Sequence, residues 1–202
     1  MPVNENLHDL LTRYGVIDDE LGFHAVWCAG RTPGEVAGLL RVSPGSAAQC
    51  RLDDPWEGLD QLNDRDGVLF VGAYRDWTLV LQTVGVKTTR DPALSILSSG
   101  GRRALAIGWD VNLRGRLTYA ADGRILASMV LFPPGRPRGI DPRALEQYMD
   151  GIPFEDGPDM EAHAVSALRL AARITDGGVD RAWLESPQTR WIIPADAWYY
   201  GW

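Results

Sequence analysis

The longest regular pattern in the chain runs from Arg102 to Phe132, with a shorter one from Gly67 to Gly85 before it. Arg103, Leu105, Ile107, Trp109 and Val111 alternate with Ala104, Ala106, Gly108 and Asp110, and Leu117, Tyr119 and Ala121 alternate with Arg116, Thr118 and Ala120. A period of two marks strands that turn one face to a core. The small residues of the second face would let another element pack close. The long run breaks at Asn112–Gly115 and again at Asp122-Gly123. Asp-Gly tolerates the two positive φ angles of a type I′ hairpin turn, so it fixes the register of its two strands. In the earlier run, Val68–Gly72 and Trp77–Val84 are strands joined by Ala73-Tyr74-Arg75-Asp76, and Ile125–Phe132 is the last return strand. Turns this short join antiparallel neighbours. The pattern predicts a five-stranded meander, with aromatic and β-branched Phe23–Cys28 as a candidate sixth strand.

Helical spacing appears on both sides of this run. Leu7, Leu10, Leu11 and Tyr14 fall at i, i+3, i+4 and i+7. Thr32-Pro33-Gly34-Glu35 reads as a capping box with proline at the first helical position, and Val36, Leu39 and Leu40 follow as its apolar stripe. Asp91-Pro92 opens a short turn or helix to Leu97, and Ser98-Ser99-Gly100-Gly101 reads as a loop needing backbone freedom. Asp141-Pro142 starts a helix with Leu145, Tyr148 and Met149 as its stripe and Gly151 as its cap. A longer helix is predicted over Asp159–Thr175, with His163, Ser166, Arg169 and Arg173 on its polar face and Val165, Leu168 and Ala172 on its packing face. A short helix over Asp180–Glu185 and an extended tail close the chain. The fold class expected is α+β: a single domain with a five- or six-stranded, mainly antiparallel twisted sheet flanked by N- and C-terminal helices. Its parts are N-terminal helices and first strand (1–42), sheet core (67–132), C-terminal helices (141–185) and aromatic tail (186–202).

Charge narrows the partners. The 202 residues carry a formal net charge of -7, which argues against nucleic acid or an anionic membrane surface as the target. Lys87 is the sole lysine, a compositional bias, so the arginine count is not by itself a sign of phosphate sites. Six acids, Asp53, Asp54, Glu57, Asp60, Asp64 and Asp66, gather in one irregular segment, which suits a solvated surface or a docking site for a basic partner. Two cysteines, Cys28 and Cys50, make neither a disulfide framework nor a zinc site and read as free buried thiols. The first residues lack the features of a signal peptide, and no stretch has the roughly 20 apolar residues of a membrane span, so the expected location is cytoplasmic.

A search for chemistry returns little. His8, His24 and His163 lie on three different elements, and no H-E-x-x-H, C-x-x-C or G-x-S-x-G occurs. His24, inside a strand, reads as a satisfied core or edge histidine. Asp156, Asp159, Glu161 and His163 are close in sequence, but acids in a first helical turn are expected from the helix dipole alone. No catalytic residue, metal ligand or cofactor is assigned. The candidate binding residues are Tyr74, Arg75 and Trp77 at a hairpin turn, Trp109 and Tyr119 on the sheet, and Trp198, Tyr199 and Tyr200 of the tail; Arg and aromatic types are enriched at binding hot spots.

One ordered set of features resembles a known family. It comprises Phe23 to Gly30 with Thr32-Pro33-Gly34-Glu35-Val36, then Gly72 and Trp77, Leu97-Ser98-Ser99-Gly100, Thr118-Tyr119-Ala120-Ala121-Asp122-Gly123, and the alanine-rich helix ending Arg173-Ile174-Thr175. Over about residues 5 to 195 the chain resembles a family of small uncharacterised proteins common in actinobacteria, classed as a domain of unknown function. The resemblance implies a cytosolic α+β domain and carries over no catalytic residue. In that family an acidic residue often stands near Gln82, so a carboxylate role there would not transfer. The functional expectation is a non-enzymatic protein-binding, immunity or regulatory protein of a bacterial conflict or secretion locus. The alternative is an accessory enzyme or small-molecule binder of natural-product biosynthesis, with Ala104, Ala106 and Gly108 lining a pocket beside Trp109, Tyr119 and Met129. Edge strands also leave self-association open.

Overall fold

A computed structural model describes residues 7–17, 22–52, 59, 62–63, 65–112, 114–154 and 159–197. In chain order the elements are α1 (Leu7–Arg13), β1 (Phe23–Ala29), α2 (Pro33–Leu39), β2 (Ala48–Cys50), β3 (Gly67–Tyr74), β4 (Trp77–Val84), α3 (Asp91–Leu97), β5 (Arg103–Trp109), β6 (Gly115–Ala121), β7 (Arg124–Val130), α4 (Arg143–Glu146), α5 (Met160–Ile174), α6 (Arg181–Glu185) and β8 (Gln188–Ile193). The strands form one open sheet in the order β2-β8-β3-β4-β1-β5-β6-β7, and every ladder is antiparallel.

The antiparallel sheet and its helices agree with expectation, but the sheet has eight strands rather than five or six. Nor is it one meander. β3–β4 and β5–β6–β7 are hairpin-linked blocks, and β1 is inserted between them, pairing Ala25 with Leu81 on one side and with Ile107 on the other. Phe23 to Cys28 are all buried, as a central strand requires. Alternation tells which residues share a face; it does not tell which strand lies beside which. β8, expected as a tail, sits between β2 and β3 and pairs Phe70 with Arg190. Its sequence, Gln-Thr-Arg-Trp-Ile-Ile, has no clean alternation to announce a strand.

Both faces of the sheet are covered. Phe23, Trp27, Phe70, Leu79, Leu105, Ile107 and Leu117 face a core shared with α1, α4, α5 and α6. Val26, Cys28, Leu69, Val80, Ala104, Ala106 and Ala120 face a thinner core shared with α2 and α3. The small residues of β5 do admit a helix at close range. Trp27 anchors the thicker layer, its Nε1 donating to the Gly178 carbonyl at 2.6 Å.

Local signals hold where chemistry fixes them. Asp122 and Gly123 both have positive φ, at 49° and 77°, as the type I′ turn requires. The capping box of α2 is complete: Glu35 N donates to Thr32 Oγ1 at 3.3 Å, and Thr32 N donates to Glu35 Oε2 at 2.7 Å. The helix expected after Asp141 is only the short α4, because turns replace it from Gln147 onward. In α5, His163 and Ser166 are buried rather than solvent-facing; the Ser166 hydroxyl donates to the Pro153 carbonyl, and His163 lies near Phe132. Helix α5 is therefore wrapped on more sides than its periodicity implies. Leu97-Ser98-Ser99 is pinned by Arg31, which donates to the carbonyls of Leu97 (2.8 Å) and Ser99 (2.7 Å).

The edge at β7 is shielded. Ser128 and Arg138 exchange backbone hydrogen bonds of 2.8 Å in each direction. That return approaches so closely that a Cβ at Gly139 would lie 2.4 Å from the Leu126 carbonyl oxygen. Among the described residues, no helix is long and apolar enough to cross a membrane.

Candidate functional site

The ladder between β1 and β5 places His24 opposite Gly108. Their neighbours on the other face, Phe23 and Trp109, stack at 4.7 Å in the thick core, so His24 and Gly108 look out on the thinner side. With no side chain at Gly108, the imidazole settles onto the backbone. A Cβ there would stand 2.6 Å from His24 Nδ1 and 3.1 Å from Thr89 Oγ1. Nδ1 and Thr89 Oγ1 are 3.3 Å apart, within hydrogen-bond reach.

A cleft of about 230 Å³ opens over this spot. His24, Thr89 and Gly108 line it, with Val86, Arg90, Asp110, Arg114 and Arg116 around them. Arg90 immediately precedes α3, and the three other charged residues come from the β5–β6 connection and the start of β6. Their roles differ. Arg116 is paired with Asp91. Asp110 Oδ1 accepts from the backbone N–H groups of Asn112 (2.9 Å) and Arg114 (3.0 Å), which shapes the turn. The guanidiniums of Arg90 and Arg114 have no hydrogen-bond or ion-pair partner among the described residues, and both side chains are exposed.

His24 is 7% exposed, and its Nε2 has no hydrogen-bond partner among the described residues. Burial lowers its pKa to about 4, against an upward pull from the Asp110 carboxylate, so the ring is neutral at pH 7. A neutral imidazole beside two uncommitted guanidiniums and a hydroxyl is a set of donors. It suits holding an anion.

The expected binding residues fall elsewhere. Tyr74 and Trp77 are buried in the thick core. Arg75 is exposed but committed: it pairs with the Asp176 carboxylate at 2.9 Å and also donates to the Asp176 carbonyl, tying the β3–β4 turn to the end of α5. Trp109 and Tyr119 are buried in that same core, on the face opposite Ala104, Ala106 and Gly108, so the two sets do not line one pocket. Trp198, Tyr199 and Tyr200 lie outside the described residues, as do Asp53, Asp54, Glu57, Asp60 and Asp64 of the acidic segment and Asp156. Cys28 and Cys50 are free and buried, on opposite sides of the sheet. Glu161 approaches His8 and Asp9 of α1 rather than His163, with ligand atoms within 4.8 Å of one another.

A second hollow, of about 480 Å³, is walled by Ser43–Ala48, Leu59, Arg190 and Ile192. Among the described residues its one ionisable side chain, Arg190, already has a partner. The cleft over His24 thus brings two guanidiniums that are uncommitted among the described residues beside a buried imidazole.

With this architecture in view, comparison with known proteins places the chain. The profile of a family of unknown function, DUF6461, matches residues 23–188. The chain belongs to that family. No curated protein and no solved structure matches it. The DUF6461 match spans β1 through the first residue of β8 and so contains every residue of the cleft.

Proposed function

We propose that this DUF6461 protein is a non-enzymatic binding protein that docks an acidic partner protein through the cleft over His24, in an immunity or regulatory role. One observation carries the reading: Arg90 and Arg114, exposed and uncommitted among the described residues, flank the buried His24–Thr89 pair. On a chain of net charge -7, such a concentration of positive charge is local and suits charge complementarity. Exposed Val86 on the rim and exposed Val111 beside Asp110 offer apolar contact around a charged centre. The cleft is smaller than the roughly 300 Å³ at which pockets for whole small molecules begin, which favours insertion of one side chain over engulfment of a metabolite. A bacterial conflict or secretion locus, in the cytoplasm, is the setting proposed for it.

The test is fluorescence anisotropy with a labelled oligo-glutamate peptide, alongside capture from a cognate lysate, using the native chain and an Arg90→Glu/Arg114→Glu variant. Salt-sensitive peptide binding, and a captured protein lost on charge reversal, are the expected results. Equal retention by the native and charge-reversed chains would overturn the reading.

A further inference from the structure

We infer that the group held in the cleft is a single phosphoryl group, a phosphate monoester, bound by Arg90, Arg114 and Thr89, with His24 orienting the Thr89 hydroxyl; this rests on the cleft being the binding site, as proposed above. The number and kind of unused donors carry the argument. A carboxylate presents two oxygens in one plane, and one guanidinium can satisfy both as a fork. Here two guanidiniums are uncommitted among the described residues, from different elements, with a hydroxyl and an imidazole beneath them. Donors arriving from several directions match the three terminal oxygens of a tetrahedral phosphoryl group.

The floor supplies the second observation. His24 is more than nine-tenths buried, lines the cleft, and keeps Nε2 without a partner among the described residues. With its one N–H on Nδ1, the neutral ring donates to Thr89 Oγ1 and leaves the hydroxyl proton free for a phosphoryl oxygen. Gly108 makes the arrangement sterically feasible, since a side chain there would displace the ring. Arg116 stays paired with Asp91 and adds field rather than a direct bond. The Asp110 carboxylate oxygen that faces the turn is occupied by two backbone N–H groups, which limits its repulsion toward an incoming anion.

The experiment is an NMR titration of the full chain at constant ionic strength with inorganic phosphate, a phosphoserine peptide and acetate, following backbone amides and the His24 ring nitrogens. Saturable shifts at Thr89, Gly108, Arg114 and His24 are expected with phosphate at clearly lower concentration than with acetate. Arg90→Ala and Arg114→Ala should each weaken binding roughly tenfold, the scale of one charge-assisted hydrogen bond. Arg124→Ala, an exposed arginine on β7 outside the cleft, should leave it unchanged. Thr89→Val removes the hydroxyl at similar volume and tests the floor should His24→Gln fail to fold. Saturation by acetate as strong as by phosphate would overturn the phosphoryl assignment while leaving an anion-binding cleft. Phosphate shifts untouched by either arginine variant would overturn it too. No saturation with any anion would sink this inference and the docking reading together. Binding of phosphate without the phosphopeptide would keep the phosphoryl site, assign it to a small phosphate ester, and count against a protein partner.

Discussion

At the scale of single residues, His24 and Gln82 each do what their types alone would not announce. His24 has its pKa depressed in the folded protein, from the usual 6.5 to about 4. The unfolded chain therefore takes up a proton near pH 6.5 that the folded chain refuses until near pH 4. This contribution to stability is complete above about pH 6.5 and is lost as pH falls toward 4, up to about 3 kcal/mol at its limit. Chemical denaturation at pH 7.0 and 4.5 should show that loss in the native protein and little of it in His24→Gln; a parallel decline in both would place the acid sensitivity elsewhere. Gln82 is buried, with Oε1 accepting from Thr88 N (2.9 Å) and Thr88 Oγ1 (2.8 Å) while Nε2 donates to the Val84 carbonyl (2.8 Å). Glutamate is acceptor-only when ionised, so Gln82→Glu would set an oxygen against that carbonyl. A loss of about 1–3 kcal/mol is expected in a urea melt at pH 7, and an unchanged midpoint would refute the assigned geometry. Neither role was legible in the sequence. His24 reads as an ordinary strand histidine until β1 is known to lie against β5, and Gly108 reads only as one small residue among three. The arginines of the cleft come from separate connections, so no spacing links them.

At the scale of elements, legibility follows how local the determining chemistry is. The α2 capping box and the Asp122-Gly123 turn are settled within a few residues, and both form as their residues dictate. Thr32→Ala removes the hydroxyl that accepts from Glu35 N; about 1 kcal/mol should be lost, seen as a drop of roughly 2–4 °C in Tm for a chain of this size. Thr32→Ser should restore most of it. The misread elements depend on partners far along the chain. β1 is central only because β4 and β5 part to receive it, and β8 becomes a strand only because β3 offers it an edge. In α5, burial of His163 and Ser166 follows from Phe132 and Pro153, which the helix's own periodicity does not contain.

For the whole molecule, layering decides what reaches solvent. Cys28 lies in the thin core, fully buried, with burial raising its thiol pKa to about 12; Cys50 lies in the thick core on the other side of the sheet. Because the thiolate is the reactive form, neither thiol should react with a chromogenic disulfide reagent in the native protein, and both should react in denaturant. Fast native reaction would contradict the layering. The layering also sets where the fold ends. The DUF6461 match stops at residue 188, the first residue of β8, yet β8 pairs with β3 on one side and β2 on the other. Without it, the buried run Gly67–Val71 becomes an exposed apolar edge and β2 loses the only ladder it has among the described residues. Ile193 would leave the thin core, and Lys87 would lose the Ile193 and Pro194 carbonyls that hold its ammonium. A chain ending at residue 187 should therefore aggregate or melt without a cooperative transition, while one ending at residue 197 should unfold in a single step. If the shorter chain melts with the longer one's midpoint and cooperativity, β8 is an accessory to the sheet rather than part of its folding unit.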